Sequence, residues 1–103
     1  MNLFVEQHRQ EIDRLCRTYE VSRLELFGSA ARGQDDPRRS DYDFLVEFRD
    51  LGWRGSFKRY MGLKLALEDL LGRQIDLVEP SAIRNPYFAQ VVNRDRVLVY
   101  AAA

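Results

Sequence analysis

The segment Leu26-Phe27-Gly28-Ser29-Ala30-Ala31-Arg32-Gly33 is followed, after a short connection, by Ser40-Asp41-Tyr42-Asp43-Phe44-Leu45-Val46. An apolar run is thus broken by Gly-Ser, and a second apolar run carries two aspartates. Residues 23–27 are too short for a helix and lead straight into Gly28, so they predict a buried strand. Residues 41–48 alternate: Tyr42, Phe44, Val46 and Phe48 share one face, and Asp41, Asp43, Leu45 and Glu47 share the other. This predicts a strand with one wholly apolar face. Between the two, Gly33, Asp35, Asp36, Pro37 and Ser40 are turn formers and mark a connection, with room for one helical turn at its start.

Outward from this pair, residues 3–19 predict one amphipathic helix, because Phe4, His8, Ile12, Leu15, Cys16 and Tyr19 recur at spacings of three and four. Residues 55–71 predict a second helix, its stripe formed by Phe57, Tyr60, Leu63, Leu67, Leu70 and Leu71, with Gly72 placed to stop it. Residues 74–79 read as a third strand ended by Pro80. Residues 86–93 read as a short helix with Pro86 in its first turn, and 97–100 as a last strand. The expected fold class is α/β (α+β): one domain over residues 1–103, a small mixed sheet flanked by helices that cover one face.

Three carboxylates occupy positions that strands normally reject. Asp41 and Asp43 are two apart and leave the same face of one strand, roughly 6–7 Å apart at Cα. Asp76 lies between Ile75 and the pair Leu77 and Val78 on another strand. An aspartate among apolar neighbours costs several kcal/mol unless its charge is compensated. A divalent cation resolves both the burial and the mutual repulsion, and Mg²⁺ takes hard oxygen ligands from carboxylates and substrate phosphates. Gly28 lets backbone approach a ligand closely, and the Ser29 N–H and hydroxyl can face an anion.

Composition excludes other classes. The 103 residues carry 16 basic and 16 acidic side chains, so the chain lacks the basic surplus of a protein that coats nucleic acid or an anionic membrane. One cysteine rules out an internal disulfide and a cysteine zinc site, and fits a reducing compartment. No apolar run approaches the roughly 20 residues of a membrane span. The first residues lack a basic start followed by an apolar stretch, so no signal peptide is expected and the expected location is cytoplasmic. No repeat is present, and Ala101 to Ala103 is the one low-complexity tract.

The Gly28-Ser29 and Asp41-Tyr42-Asp43 segments together resemble the signature of the DNA polymerase beta-like nucleotidyltransferase superfamily. Leu71-Gly72-Arg73-Gln74-Ile75-Asp76-Leu77-Val78 is similar to that family's third-aspartate strand. Short length and the form of residues 28–33 resemble its minimal nucleotidyltransferase branch, whose members act as antitoxins beside small helical toxins of the HEPN class. The resemblance implies a nucleotidyltransferase fold in which Gly28 and Ser29 hold a nucleoside triphosphate. It implies that Asp41 and Asp43 bind two metal ions, and that Asp76 binds one and helps deprotonate the attacking hydroxyl. The ions would be Mg²⁺ with bound ATP, or Mn²⁺ in their place. The expected reaction moves AMP from ATP to a hydroxyl, a tyrosine on a cognate HEPN-type toxin. The expected partners are thus the toxin and ATP, with no membrane and no nucleic acid.

Other residues keep two readings. Arg32 is a phosphate contact or a surface arginine. Ser40 bonds local backbone or touches phosphate. Lys64, inside the apolar stripe of its helix, packs its stem and reaches outward, or sends a cation to the nucleotide or the carboxylates. Trp53, Phe57 and Tyr60 belong to the core or to an apolar partner surface. His8 and Cys16 read as packed helix residues, Arg38 and Arg39 as part of a solvated turn, and Glu47 and Glu79 as rim positions. Two functions compete with transfer to a toxin: an antitoxin that neutralises by covering its toxin, and a catalytic subunit acting on a small molecule or an RNA end. Most of the 103 residues are spent on helices and catalytic strands, which favours an acceptor presented by another protein.

Overall fold

A computed structural model of the chain describes residues 2–33 and 41–102. Strands β1 (Val21–Phe27), β2 (Tyr42–Phe48), β3 (Ile75–Val78) and β4 (Val97–Ala101) form one sheet in the order β3-β2-β1-β4. β1 is antiparallel to both of its neighbours, while β2 and β3 are parallel, so the sheet is mixed as expected. Parallel neighbours cannot be joined by a tight turn. The crossover is α4 (Ser56–Leu71), which Gly72 ends in the left-handed conformation at φ 63°.

The first face of the sheet presents Leu24, Leu26, Tyr42, Phe44, Val46, Ile75, Leu77 and Val99 to a core closed by Val5, Ile12, Cys16, Leu63, Leu67 and Leu71. The helical residues come from α1 (Leu3–Gln7), α2 (Arg9–Thr18) and α4. Close helix packing has a visible cause at Gly62, where a Cβ would stand 2.4 Å from Tyr19 Cε1.

Two sequence expectations are corrected. The single helix over 3–19 is two helices, separated at His8 (φ −106°, ψ 14°). The His8 ring Nδ1 lies 2.9 Å from the Phe4 carbonyl oxygen, the acceptor a continuous helix would give to the His8 N–H, which bonds Val5 O instead. The helices are also not confined to one face. On the second face α5 (Pro86–Asp95) lays Val92 against Phe27 and Leu45, with Val78 and Ile83 beside them. Those strand residues are apolar on the side that carries Asp43, and they need cover.

β3 is an outer strand, and α4 lies along it. The Ile75 N–H donates to the Glu68 carboxylate at 3.2 Å, and the Tyr60 hydroxyl donates to the Leu77 carbonyl. Lys64 pairs with the same Glu68, Nζ to Oε2 at 2.9 Å, which draws its ammonium to the helix's own carboxylate. Among the described residues, no helix is long and apolar enough to cross a membrane.

Candidate active site

The parallel register between β2 and β3 sets Asp43 directly beside Asp76, and the antiparallel register between β1 and β2 sets Phe27 beside Asp43. Asp43 and Asp76 both leave the second face, since Tyr42, Phe44, Ile75 and Leu77 fill the first. Asp41 sits one residue before β2 and is exposed, as is Asp76, while Asp43 between them is half-buried. Burial, then the charges of Asp76 and Asp41, push the Asp43 carboxyl up from 3.8 to about 6.

Immediately after Phe27 the chain turns into α3 (Gly28–Ala31), and Gly28 adopts φ 75°. A Cβ there would lie 2.6 Å from Asp43 Oδ2, so only glycine satisfies both the backbone conformation and the closeness of the carboxylate. Ser29 follows at the head of the turn, and Ala30 and Ala31 are buried, small enough for the turn to seat on the core. The structure therefore brings together Gly28, Ser29, Asp43 and Asp76, with Asp41 close enough to act on Asp43.

Arg32, the next residue after α3, has Nη1 2.5 Å from Asp95 Oδ2 at the end of α5, so its guanidinium bridges the Gly-Ser turn to the helix on the second face. Ser40, with Arg38 and Arg39, lies outside the described residues. Glu47 and Glu79 are exposed, as expected of rim positions.

Two residues passed over in the sequence contribute to the surroundings. Asn2 is buried: its Oδ1 accepts from Val5 N at 3.0 Å, and its Nδ2 donates to Ala30 O and to the Tyr42 hydroxyl, each at 3.3 Å. It ties α1 to the Gly-Ser turn and to the residue between Asp41 and Asp43. The signal for Asn2 was local, an N-cap residue before a helix, and said nothing of the two long-range bonds. Arg73 adds a cation over the Tyr42 ring at 4.9 Å. Glu25 is a buried carboxylate on the same face as Asp43, but Arg23 and Arg96 pair with it at 3.2 and 3.5 Å.

Among the described residues, no three His, Cys, Asp or Glu side chains close into a ready metal cage. The donor set of Asp41, Asp43 and Asp76 is nonetheless all hard oxygen, and Asp43 is crowded by like charge. That chemistry fits a divalent cation of the Mg²⁺ type, which needs few protein ligands and keeps its other positions for water and phosphate.

Residues 6–99 match the family described as the nucleotidyltransferase domain. The chain is 34% identical over 92 residues to the protein adenylyltransferase MntA of Thermococcus cleftensis, covering 89% of this chain and 85% of that protein. It is 38% identical over 81 residues to a candidate protein adenylyltransferase of Methanocaldococcus jannaschii, covering 79% of each. A solved structure named as a candidate minimal nucleotidyltransferase superposes with a TM-score of 0.75 at 33% identity, covering 94% of this chain and 95% of that one. A Shewanella oneidensis complex of a tri-AMPylated HEPN toxin with its MNT antitoxin matches with a TM-score of 0.64 at 19% identity, over 95% of this chain and 73% of that one. At that identity the last likeness is one of fold.

Proposed function

The chain belongs to the nucleotidyltransferase domain family, and from that premise we propose that it transfers AMP from ATP to a tyrosine hydroxyl of a cognate HEPN-type toxin, acting as that toxin's antitoxin. One observation carries the reading: Asp43 and Asp76 are register partners on one sheet face, with the Gly28 backbone pressed against Asp43. A neutralising surface gains nothing from carboxylates that repel one another; a phosphoryl-transfer site needs them. The relatives named for protein adenylylation support the reaction class, and the shared fold with an antitoxin bound to an AMPylated toxin supports the partner.

In this reading Asp41, Asp43 and Asp76 hold the metal, Mg²⁺ or in its place Mn²⁺. When bound, two such ions ease ionisation of the attacking hydroxyl and neutralise the departing pyrophosphate. Gly28, lacking a side chain, lets the triphosphate approach the backbone. Ser29 offers its hydroxyl and N–H to phosphate oxygens. Asp76, exposed on the sheet edge, takes the proton from the acceptor hydroxyl as its oxygen bonds the α-phosphorus and the bond to pyrophosphate breaks. Tyrosine suits such a site because its ring gives reach and its pKa near 10 makes the phenolate accessible.

The test is the intact mass of the all-helical partner after incubation with this protein, Mg²⁺ and ATP. A gain of about 329 Da per AMP, the group moved in this two-metal reaction, is expected on tyrosine. Ser29→Ala and Asp76→Asn should abolish it while leaving the partner complex formed. No adduct on the partner, with neutralisation surviving both substitutions, would leave a covering antitoxin in its place.

A further inference from the structure

We propose that Asp95 is a positioning residue of the nucleotide site: acting through Arg32, its carboxylate clamps the Gly28-Ser29 turn and so sets the affinity for the triphosphate. The inference rests on the transfer reading above and adds what holds its phosphate-facing turn in place.

The turn does not hold itself. α3 has four residues, far short of the roughly 12–15 at which an isolated helix becomes marginally stable. No side chain caps its start. The backbone bonds at its end, Arg32 N to Gly28 O and Gly33 N to Ala30 O, are both 3.3 Å, at the long limit for N–H donors. Asn2 fastens the turn from the first face of the sheet, through Ala30 O. On the second face the fastening comes from α5.

Phe88, Val92 and Asp95 fall at spacings of four and three, one stripe of α5. That stripe meets the chain on both sides of Gly28-Ser29. Before the pair, the Phe88 ring stands edge-on to the Phe27 ring, 5.9 Å between centroids, and Val92 is buried against Phe27. After the pair, Asp95 Oδ2 accepts from Arg32 Nη1 at 2.5 Å.

Local rules place Asp95 badly. As the last residue of α5, its negative charge meets the partial negative charge of the helix end. Its side chain is 7% exposed, and a buried carboxylate is costly unless paired. The link to Arg32 accounts for an aspartate there. Arg94 also pairs with Asp95, at 3.4 Å, but it is the adjacent residue on the same helix and 71% exposed, so it fastens nothing to the turn. Without the clamp, fewer molecules hold the Ser29 N–H and hydroxyl toward the phosphates. Apparent affinity falls by that fraction, and bound ATP reseats the turn. The loss therefore belongs in KM rather than kcat.

Calorimetric binding of Mg·ATP and amide exchange of the free protein read the clamp directly. Asp95→Asn, nearly the same shape without the charge, should weaken Mg·ATP about tenfold. It should also speed exchange at residues 29–32 while protection in β1 and β2 is retained. Arg32→Ala, at an exposed position, should do the same from the other end of the link, and the double variant should be no worse than either single one. Arg94→Ala should change neither readout. In transfer, the KM for ATP should rise about tenfold while kcat stays within about threefold. Unchanged exchange, unchanged or tighter Mg·ATP binding, additive losses in the double variant, a matching loss in Arg94→Ala, or a fall in kcat at constant KM overturns the proposal. A wild type that binds Mg·ATP but transfers no AMP, with the Asp95→Asn effects intact, refutes the transfer reading and upholds the clamp. A wild type that binds no Mg·ATP overturns both.

Discussion

Replacing Asp43 with asparagine should stabilise the metal-free protein, by an amount that grows as pH rises from 3.8 to about 6 and is full above it. The carboxyl titrates at about 6 in the folded chain against an ordinary value of 3.8, with burial and then Asp76 and Asp41 as causes. At full strength that difference corresponds to about 3 kcal/mol. Asp43 is only half-buried, and solvent screening reduces the expected effect to about 1–2 kcal/mol. Because the folded value is raised, the favourable protonated state is fully present below pH 3.8 and is lost as pH rises through 6. At pH 8 the wild type has lost it, whereas asparagine never acquires the charge. Thermal unfolding followed by circular dichroism in EDTA should show Asp43→Asn melting roughly 5–10 °C higher at pH 8 and level with wild type near pH 3.5. With Mg²⁺ and ATP the order should reverse, because only the wild type gains ligand stabilisation. An asparagine variant less stable at pH 8 in EDTA, or stabilised equally at both pH values, would refute the idea that Asp43 is held against its neighbours' charge.

Gly28→Ala should destabilise by about 1–2 kcal/mol for the left-handed backbone and cut transfer at least a hundredfold by displacing the Asp43 carboxylate; single-turnover transfer and chemical denaturation separate the two effects. Asn2→Ala should cost about 1–3 kcal/mol from the lost helix cap and the two lost long-range bonds to Ala30 O and the Tyr42 hydroxyl, with faster amide exchange along residues 28–31; unchanged exchange there would show that Asn2 does not hold the turn. Gly62→Ala should cost about 1–3 kcal/mol by overpacking against Tyr19, and Tyr19→Leu should recover part of it in a double-mutant cycle.

The strands around the Gly-Ser turn were legible because alternation in residues 41–48 admits one reading, and because Gly28 and Gly72 stand where chains must turn. What periodicity could not reveal was which strands are neighbours. The pairing of Asp43 with Asp76 depends on β3 lying parallel to β2, a fact of the crossover rather than of either strand. The break at His8 was hidden for a different reason: the stripe of helix residues continues through it, and only a ring nitrogen competing for the Phe4 carbonyl interrupts the backbone. The second covered face had a trace in the sequence, Phe27 and Leu45 on the side that carries Asp43. It became readable only once Val92 was seen against them. Asn2 reaches across 28 and 40 residues, beyond any local signal.

The caps on β3 set how another protein can approach. An outer strand with a bare row of N–H and C=O groups invites a further strand, from a partner or from an identical chain, and with it fibrous association. Here Glu68 and Tyr60 already occupy that row at Ile75 and Leu77. Strand addition is closed off next to Asp76, so a visiting chain must enter by its side chains. The same two bonds guard the register that keeps Asp76 beside Asp43. Without them, a one-residue slip of β3 would carry Asp76 to the other side of the sheet.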